Sequence, residues 1–272
     1  MILISISGFW QKRKAFFRKK GPLEECKKDV RFVSILPYFS AGIIGLIYVT
    51  GDLHGELARF SERQMKVVKK RDTLLVCGDF GFVWDGSKEE QKALKALGKF
   101  PFTIAFVDGA HENFELLDRL PVSEWCGGKV RRLQENTVQL MRGEIYEIEG
   151  ERIFAFGGGE SPDKDIRRED GHWWAKELPS PEEIDEGRRN LEASFHEVDY
   201  IITHEPSAAV KGMLNIGEDH INSLNIFFDE VAKTCKFKRW FFGSCHVDKV
   251  ISPRQIAVFG DVLPLDLNKK KR

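Results

Sequence analysis

Gly51-Asp52-Leu53-His54-Gly55 follows directly on an apolar run, Ile47-Tyr48-Val49-Thr50. The run has the composition of a strand, so Asp-x-His falls where that strand ends. Carboxylate oxygen and imidazole nitrogen are the donors that hard divalent ions take. The arrangement recurs down the chain. Thr73–Cys77 ends at Gly78-Asp79, and residues 103–107 run into Asp108-Gly109-Ala110-His111-Glu112. Residues 199–203 end at His204, and residues 239–242 end at Gly243-Ser244-Cys245-His246. Open α/β sheets place ligand sites just beyond such strand ends. A chance scatter of polar loop residues would not repeat in this order.

Between these strands the pattern is helical. Leu57, Phe60, Val67 and Val68 suggest one helix over 56–69, and Leu94 and Leu97 another over 88–98. Phe114 to Leu120 reads as a short helix stopped by Pro121. Ser180-Pro181-Glu182-Glu183 is a capped start for a helix over 181–195. Leu224, Phe227, Phe228 and Val231 stripe a further helix. Val138–Leu140, Ile145–Ile148 and Arg152–Phe156 read as hairpin strands within 129–156, and 255–259 as a late strand.

At 272 residues the chain can bury a full α/β core. Lys plus Arg equals Asp plus Glu, 42 each, so bulk charge makes no case for nucleic acid or an anionic membrane. The basic runs Gln11–Lys20 and Lys269–Arg272 read as solvated tails. The five cysteines are odd in number and none is spaced as a zinc pair, which suits a reducing, cytoplasmic setting. Residues 32–49 approach a membrane span in length, but Pro37 interrupts them and Asp52 follows at once. The expectation is therefore one catalytic domain over 46–265 and a basic tail over 266–272. Residues 1–45 would be an extension, either loosely ordered or produced by an upstream start site.

The spacing of donors suggests how they divide. Asp52 and His54 can turn toward one ion, Asp79 can bridge two, and His246 can close the first shell. Two ions about 3.5–4 Å apart would clamp a phosphate and activate a water between them.

These motifs resemble those of the calcineurin-like metallophosphoesterase family over roughly residues 47–262. That family's pattern runs Asp-x-His, Gly-Asp, Gly-Asn-His-Asp/Glu, a lone His, then Gly-His-x-His. The resemblance implies a four-layer αββα sandwich of two mixed β-sheets flanked by helices. It implies a first metal on Asp52, His54, Asp79 and His246, and a second shared through Asp79 and held by His204. His111 would contact the scissile phosphate and assist the leaving group, with Glu112 or Asp108 supporting its charge. The ions would be divalent, Mn2+ first, with Fe, Zn or Mg as alternatives. The substrate would be a small-molecule or macromolecular phosphoester.

Two positions depart from the pattern, both at the second metal. The family's Asn is Ala110, and the first His of its last motif is Ser244. A third departure concerns subgroup. The serine/threonine phosphatase branch continues Gly-Asp-x-x-Asp, and its acid orients the catalytic His; here that position is Phe82. The first hypothesis is thus a phosphomono- or diesterase with an impaired second site. The alternative is a weak or inactive binding module on the same fold.

Other residues carry weaker signals. In the glycine-rich segment 157–168, Lys164 and Arg167 could reach phosphate oxygens, although a plain surface loop explains the glycines equally well. Trp173 and Trp174 could wall a pocket or simply pack. His172, His196 and His220 read as surface or cap residues, and Cys245 as a spacer.

Overall fold

The computed structural model describes residues 45–216 and 221–268. The expectations for residues 1–44, for His220 and for the last four basic residues lie outside them.

Strands β1 (Ile47–Thr50), β2 (Thr73–Cys77) and β3 (Thr103–Val107) are buried on nearly every residue. Such apolar strands suit a parallel arrangement covered on both faces. They pair in parallel, with Thr50 opposite Val76 and Val76 opposite Phe106. Their C-terminal ends are therefore level along one edge. Helices α1 (Lys88–Leu97) and α2 (Phe114–Asp118) follow β2 and β3, each N-capped by a side chain, Ser87 and Asn113. Strands β4 (Val122–Trp125), β5 (Gly128–Gln134) and β6 (Thr137–Leu140) complete that side of the sheet, β6 running parallel to β3.

Met141–Gly143 then carry the chain to the second sheet. It opens with the hairpin β7 (Glu144–Ile148) and β8 (Glu151–Phe156). Helices α3 (Lys164–Glu169) and α4 (Pro181–Ala193) precede β9 (Tyr200–Thr203); α5 (Ala208–Leu214) and α6 (Ser223–Thr234) precede β10 (Arg239–Phe242). Strands β11 (Lys249–Ser252) and β12 (Gln255–Ala257) close this sheet, and β13 (Leu263–Pro264) returns to β1. The strand orders are β13-β1-β2-β3-β6-β5-β4 and β11-β12-β10-β9-β8-β7.

Alternation along each strand builds the layers. Val49, Leu75 and Ala105 face the second sheet and meet Ile153, Ala155 and Ile202 there. Tyr48, Leu74, Val76 and Phe106 face outward under Phe60, Leu97 and Leu117. On the far side, Phe154, Ile201 and Trp240 lie under Ile184, Phe227 and Phe228. The result is an α/β sandwich of two mixed sheets with helices on both outer faces.

The segment 56–69 departs from expectation. It forms two short 3-10 turns, Leu57–Ser61 and Met65–Val67, rather than one helix. Glu56 supplies no side-chain cap there. Tertiary contacts set the path instead: Arg59 donates to Phe259 O at 2.9 Å, and Phe60 stacks on Phe100 at 4.9 Å. The glycine-rich segment holds a short helix, α3, that its composition concealed.

Candidate metal centre

Level strand ends bring the motif residues to one place. Among the described residues, Asp52, His54, Asp79 and His246 each offer a donor atom, all within 4.8 Å of one another. Asp52 is fully buried and Asp79 nearly so. His54 Nε2 and His246 Nε2 lie 3.2 Å apart, and His246 Nε2 lies 3.1 Å from Asp52 Oδ2. That contact lacks hydrogen-bond alignment, and Asp52 Oδ2 accepts no hydrogen bond among the described residues. Two buried carboxylates facing two imidazoles, with one carboxylate oxygen left over, fit a divalent cation. Buried charge without such compensation is expensive.

The backbone holds these groups at a conformational cost. His54, Asp79 and His246 have φ of +46°, +41° and +49°, and Ser244 has +58°. Left-handed backbone outside glycine costs on the order of 1–3 kcal/mol per residue and collects at functional sites. Gly78, at φ +94°, is required twice over, because a Cβ there would come within 2.1 Å of His204 Nδ1.

His204 lies deeper, 3 % exposed. Its Nδ1 is 3.1 Å from Cys77 O and 3.6 Å from Asp52 Oδ1, and its Nε2 is 3.5 Å from Asp79 Oδ1. Burial opposes charge on this ring, but Asp79 and Asp52 prevail and raise it to about 10. Burial would raise both carboxyl groups; His204 with His246 lowers Asp52, and His204 with His111 lowers Asp79. Burial lowers His54 despite both carboxylates, whereas contact with Asp52 raises His246.

Asp79 also organises the next loop. Its Oδ1 accepts from the amides of Ala110 and His111 at 2.7 and 2.8 Å, and its Oδ2 lies 2.7 Å from His111 Nδ1. Glu112 and Asp108, the acids expected beside His111, turn elsewhere. Glu112 accepts from Phe80 N at 2.7 Å, and burial with the Asp79 charge pushes its carboxyl well up. Asp108 is taken by Arg142 and Gln139. Ala110 contributes no donor side chain. Ser244 reaches Asp52 Oδ1 through its amide, at 3.3 Å, while its hydroxyl faces Cys245. Cys245 packs against the helix-covered core of the second sheet.

Arg167 is drawn into the protein. It is buried, and its guanidinium binds the carbonyls of Ala110 and His172 and the Glu177 carboxylate, 2.9 Å away. It thus anchors α3 to the 110 loop. Lys164 pairs with Glu160 at 2.6 Å. His172 is exposed and stacks on Trp84, while His196 approaches Cys235.

Sequence reasoning passed over the supports of this centre. Asp248 accepts from the amides of Phe259, Gly260 and Asp261, and Phe259 packs on the His246 ring at 4.9 Å. Asp248 lies two residues after His246, but nothing in the spacing signals that loop. A cavity of about 510 Å³ lies elsewhere, against Asp108 and Arg142. A second of about 500 Å³ opens beside the cluster, lined by His54, His111, Trp84 and Asp85. The second touches the chemistry.

Fold and cluster together define a metal-binding hydrolase of the two-sheet sandwich type. The calcineurin-like phosphoesterase profile matches residues 45–243, and the chain belongs to that family. His246 lies just beyond the matched span. Curated proteins gave no match to the chain. Among the described residues no helix is long and apolar enough to cross a membrane.

Proposed function

We propose that the chain hydrolyses phosphomono- or diesters with a metal-activated water, and that its second metal site is impaired. One observation carries this reading: four donor residues of the motifs converge, and a buried carboxylate oxygen of one of them, Asp52, has no hydrogen-bond partner among the described residues. Asp52, His54, Asp79 and His246 would hold the first ion. His204, beside Asp79, is the remaining imidazole for a second. When bound, the ions would supply Lewis-acid polarisation of the phosphate and an acidified water. The mixed carboxylate and imidazole set suits manganese among the divalent ions, and the free-thiol composition suits the cytoplasm.

The protein's own groups do the rest. His111 faces the cluster through Nδ1. As water attacks phosphorus, the P–O bond to the leaving group breaks with its electron pair, and the Nδ1 proton passes to that oxygen. Asp79, by accepting both loop amides, fixes the distance between the cluster and this acid. Ala110 and Ser244 leave the second ion two side-chain donors short of the family pattern, which supports a weakened site.

The full chain should hydrolyse p-nitrophenyl phosphate or bis(p-nitrophenyl) phosphate with added manganese and lose that activity with chelator. Absence of hydrolysis together with no bound metal by elemental analysis would overturn the reading.

A further inference from the structure

We propose that Asp163 is the positioning residue for His111. Its carboxylate takes the Nε2–H and aims Nδ1 at the leaving oxygen. This rests on His111 acting as the acid described above.

The two ring nitrogens of His111 face different neighbours. Nδ1 looks toward the metal cluster through Asp79. Nε2 looks away from it, 4.0 Å from Asp163 Oδ1. Asp163 stands at the N-cap position of α3, yet its side chain makes no cap bond. Ser87, Asn113, Ser180, Ser207 and Asn222 all cap their helices. A carboxylate that gives up a cap forgoes about 1 kcal/mol, so something else must orient it. Its Oδ1 is buried and has no hydrogen-bond partner among the described residues. A second donor near it among the described residues, Arg167 Nη1 at 3.9 Å, already binds Ala110 O. His111 Nε2 is the neighbour that can use that oxygen. Closing the gap to hydrogen-bond length needs a shift of only about 1 Å, and catalytic hydrogen bonds are often that long before substrate arrives.

The frame around the pair supports this assignment. Arg167 lies four residues after Asp163 and grips the carbonyl of Ala110, the residue before His111. That grip ties the start of α3 to the catalytic loop. The usual direction for an orienting acid is closed, because Phe82 is buried against Phe80 and Phe60. The acid lost from the β2 loop is thus supplied from the glycine-rich segment. With Nε2–H held by Asp163, the ring keeps Nδ1 on the side of the cluster and the ester. This is the logic by which a buried acid orients a catalytic histidine elsewhere.

The test uses the full chain with Asp163→Ala, Asp163→Glu, His111→Gln and the double variant Asp163→Ala/His111→Gln. An alkyl phosphate needs its leaving oxygen protonated, whereas p-nitrophenolate leaves without a proton. Asp163→Ala should lower kcat on the alkyl ester by about 10²-fold, within the usual worth of general acid catalysis. It should change p-nitrophenyl phosphate by less than about threefold and leave KM and metal count unchanged. The double variant should lose little beyond His111→Gln, and Asp163→Glu should recover part of the loss. Independently of activity, the imidazole ¹⁵N signals of His111 in the metal-free protein should shift in Asp163→Ala. Equal losses on both esters, or an unshifted His111 signal, would overturn the proposal. A parent chain that hydrolyses neither ester would refute the phosphoesterase reading, and the ¹⁵N signals would still decide the pairing.

Discussion

Asp52 and His204 carry most of the electrostatic consequence of the site. Asp52 is fully buried between His204 and His246, the two ion-pair partners it has among the described residues. Asp52→Asn should lower metal affinity by at least about 100-fold, since even outer-shell losses at metal sites cost about 10–100-fold; elemental analysis after gel filtration reads the outcome. Metal retained at full stoichiometry would remove Asp52 from the ligands. His204 gives a pH prediction. Its ring is raised from 6.5 to about 10 by the two carboxylates in the metal-free protein. A raised histidine stabilises the fold fully below its unfolded value and ceases to as pH climbs through its folded value. The metal-free Tm should therefore fall between about pH 6.5 and 10. An ion on Asp52 and Asp79 would offset the charges that raise His204, so metal uptake at pH 7 should release a proton, measured as a buffer-dependent heat. A flat metal-free profile would show that His204 is neutral without metal. The clustering of Asp52, His54, Asp79 and His246 was legible in the sequence because residue type and strand-end position are both written there. Asp163 and Arg59 were not, because each acts through a partner about 50 residues away or more, His111 and Phe259; Asp248 was not, because its partners are backbone amides of the 259–261 loop, which residue type does not announce.

Elements were legible where local and tertiary demands agree. The start of α4 is an example: Ser180 accepts from Glu183 N, Glu183 returns a bond to Ser180 N, and Pro181 takes the first turn. Ser180→Ala should lower stability by about 1 kcal/mol, the usual worth of such a cap, read as a shift in the urea midpoint at unchanged slope. An unchanged midpoint would mean that burial of Ile184 and Leu191 alone fixes the helix. The segment 56–69 was misread because its apolar residues do have helical spacing. They are claimed instead by Phe82, Phe100 and the Phe259 loop, and packing overrides weak propensity. Edge strands β4, β11 and β13 left little trace because short or exposed strands carry no sustained alternation. The helix α3 was hidden by the glycines before it and is held by Arg167, whose long-range bonds no local pattern announces.

At the scale of the whole molecule, the candidate centre straddles two sheets. Asp52, Asp79 and the 110 loop come from the first, while His204 and residues 243–246 come from the second. In the proposed reading a second ion would draw on both sides, and each side departs from the expected donor pattern at one position, Ala110 and Ser244. Restoring them tests the impairment directly. Position 110 is well prepared for a graft: its amide donates to Asp79 and its carbonyl is gripped by Arg167, so the backbone is fixed from both directions. Position 244 has φ +58°, and histidine already occupies similar backbone at 54 and 246. His is among the residues that tolerate this region best. Ala110→Asn with Ser244→His should therefore fold like the parent and bind a second manganese where the parent binds one at modest metal concentration. Turnover on p-nitrophenyl phosphate should rise by at least about 10-fold, the lower bound of what metal-site losses cost. Titration of the parent chain is the deciding control. Two tight ions and full turnover before any replacement would show that water or another side chain completes the second site, and that the substitutions at 110 and 244 are neutral.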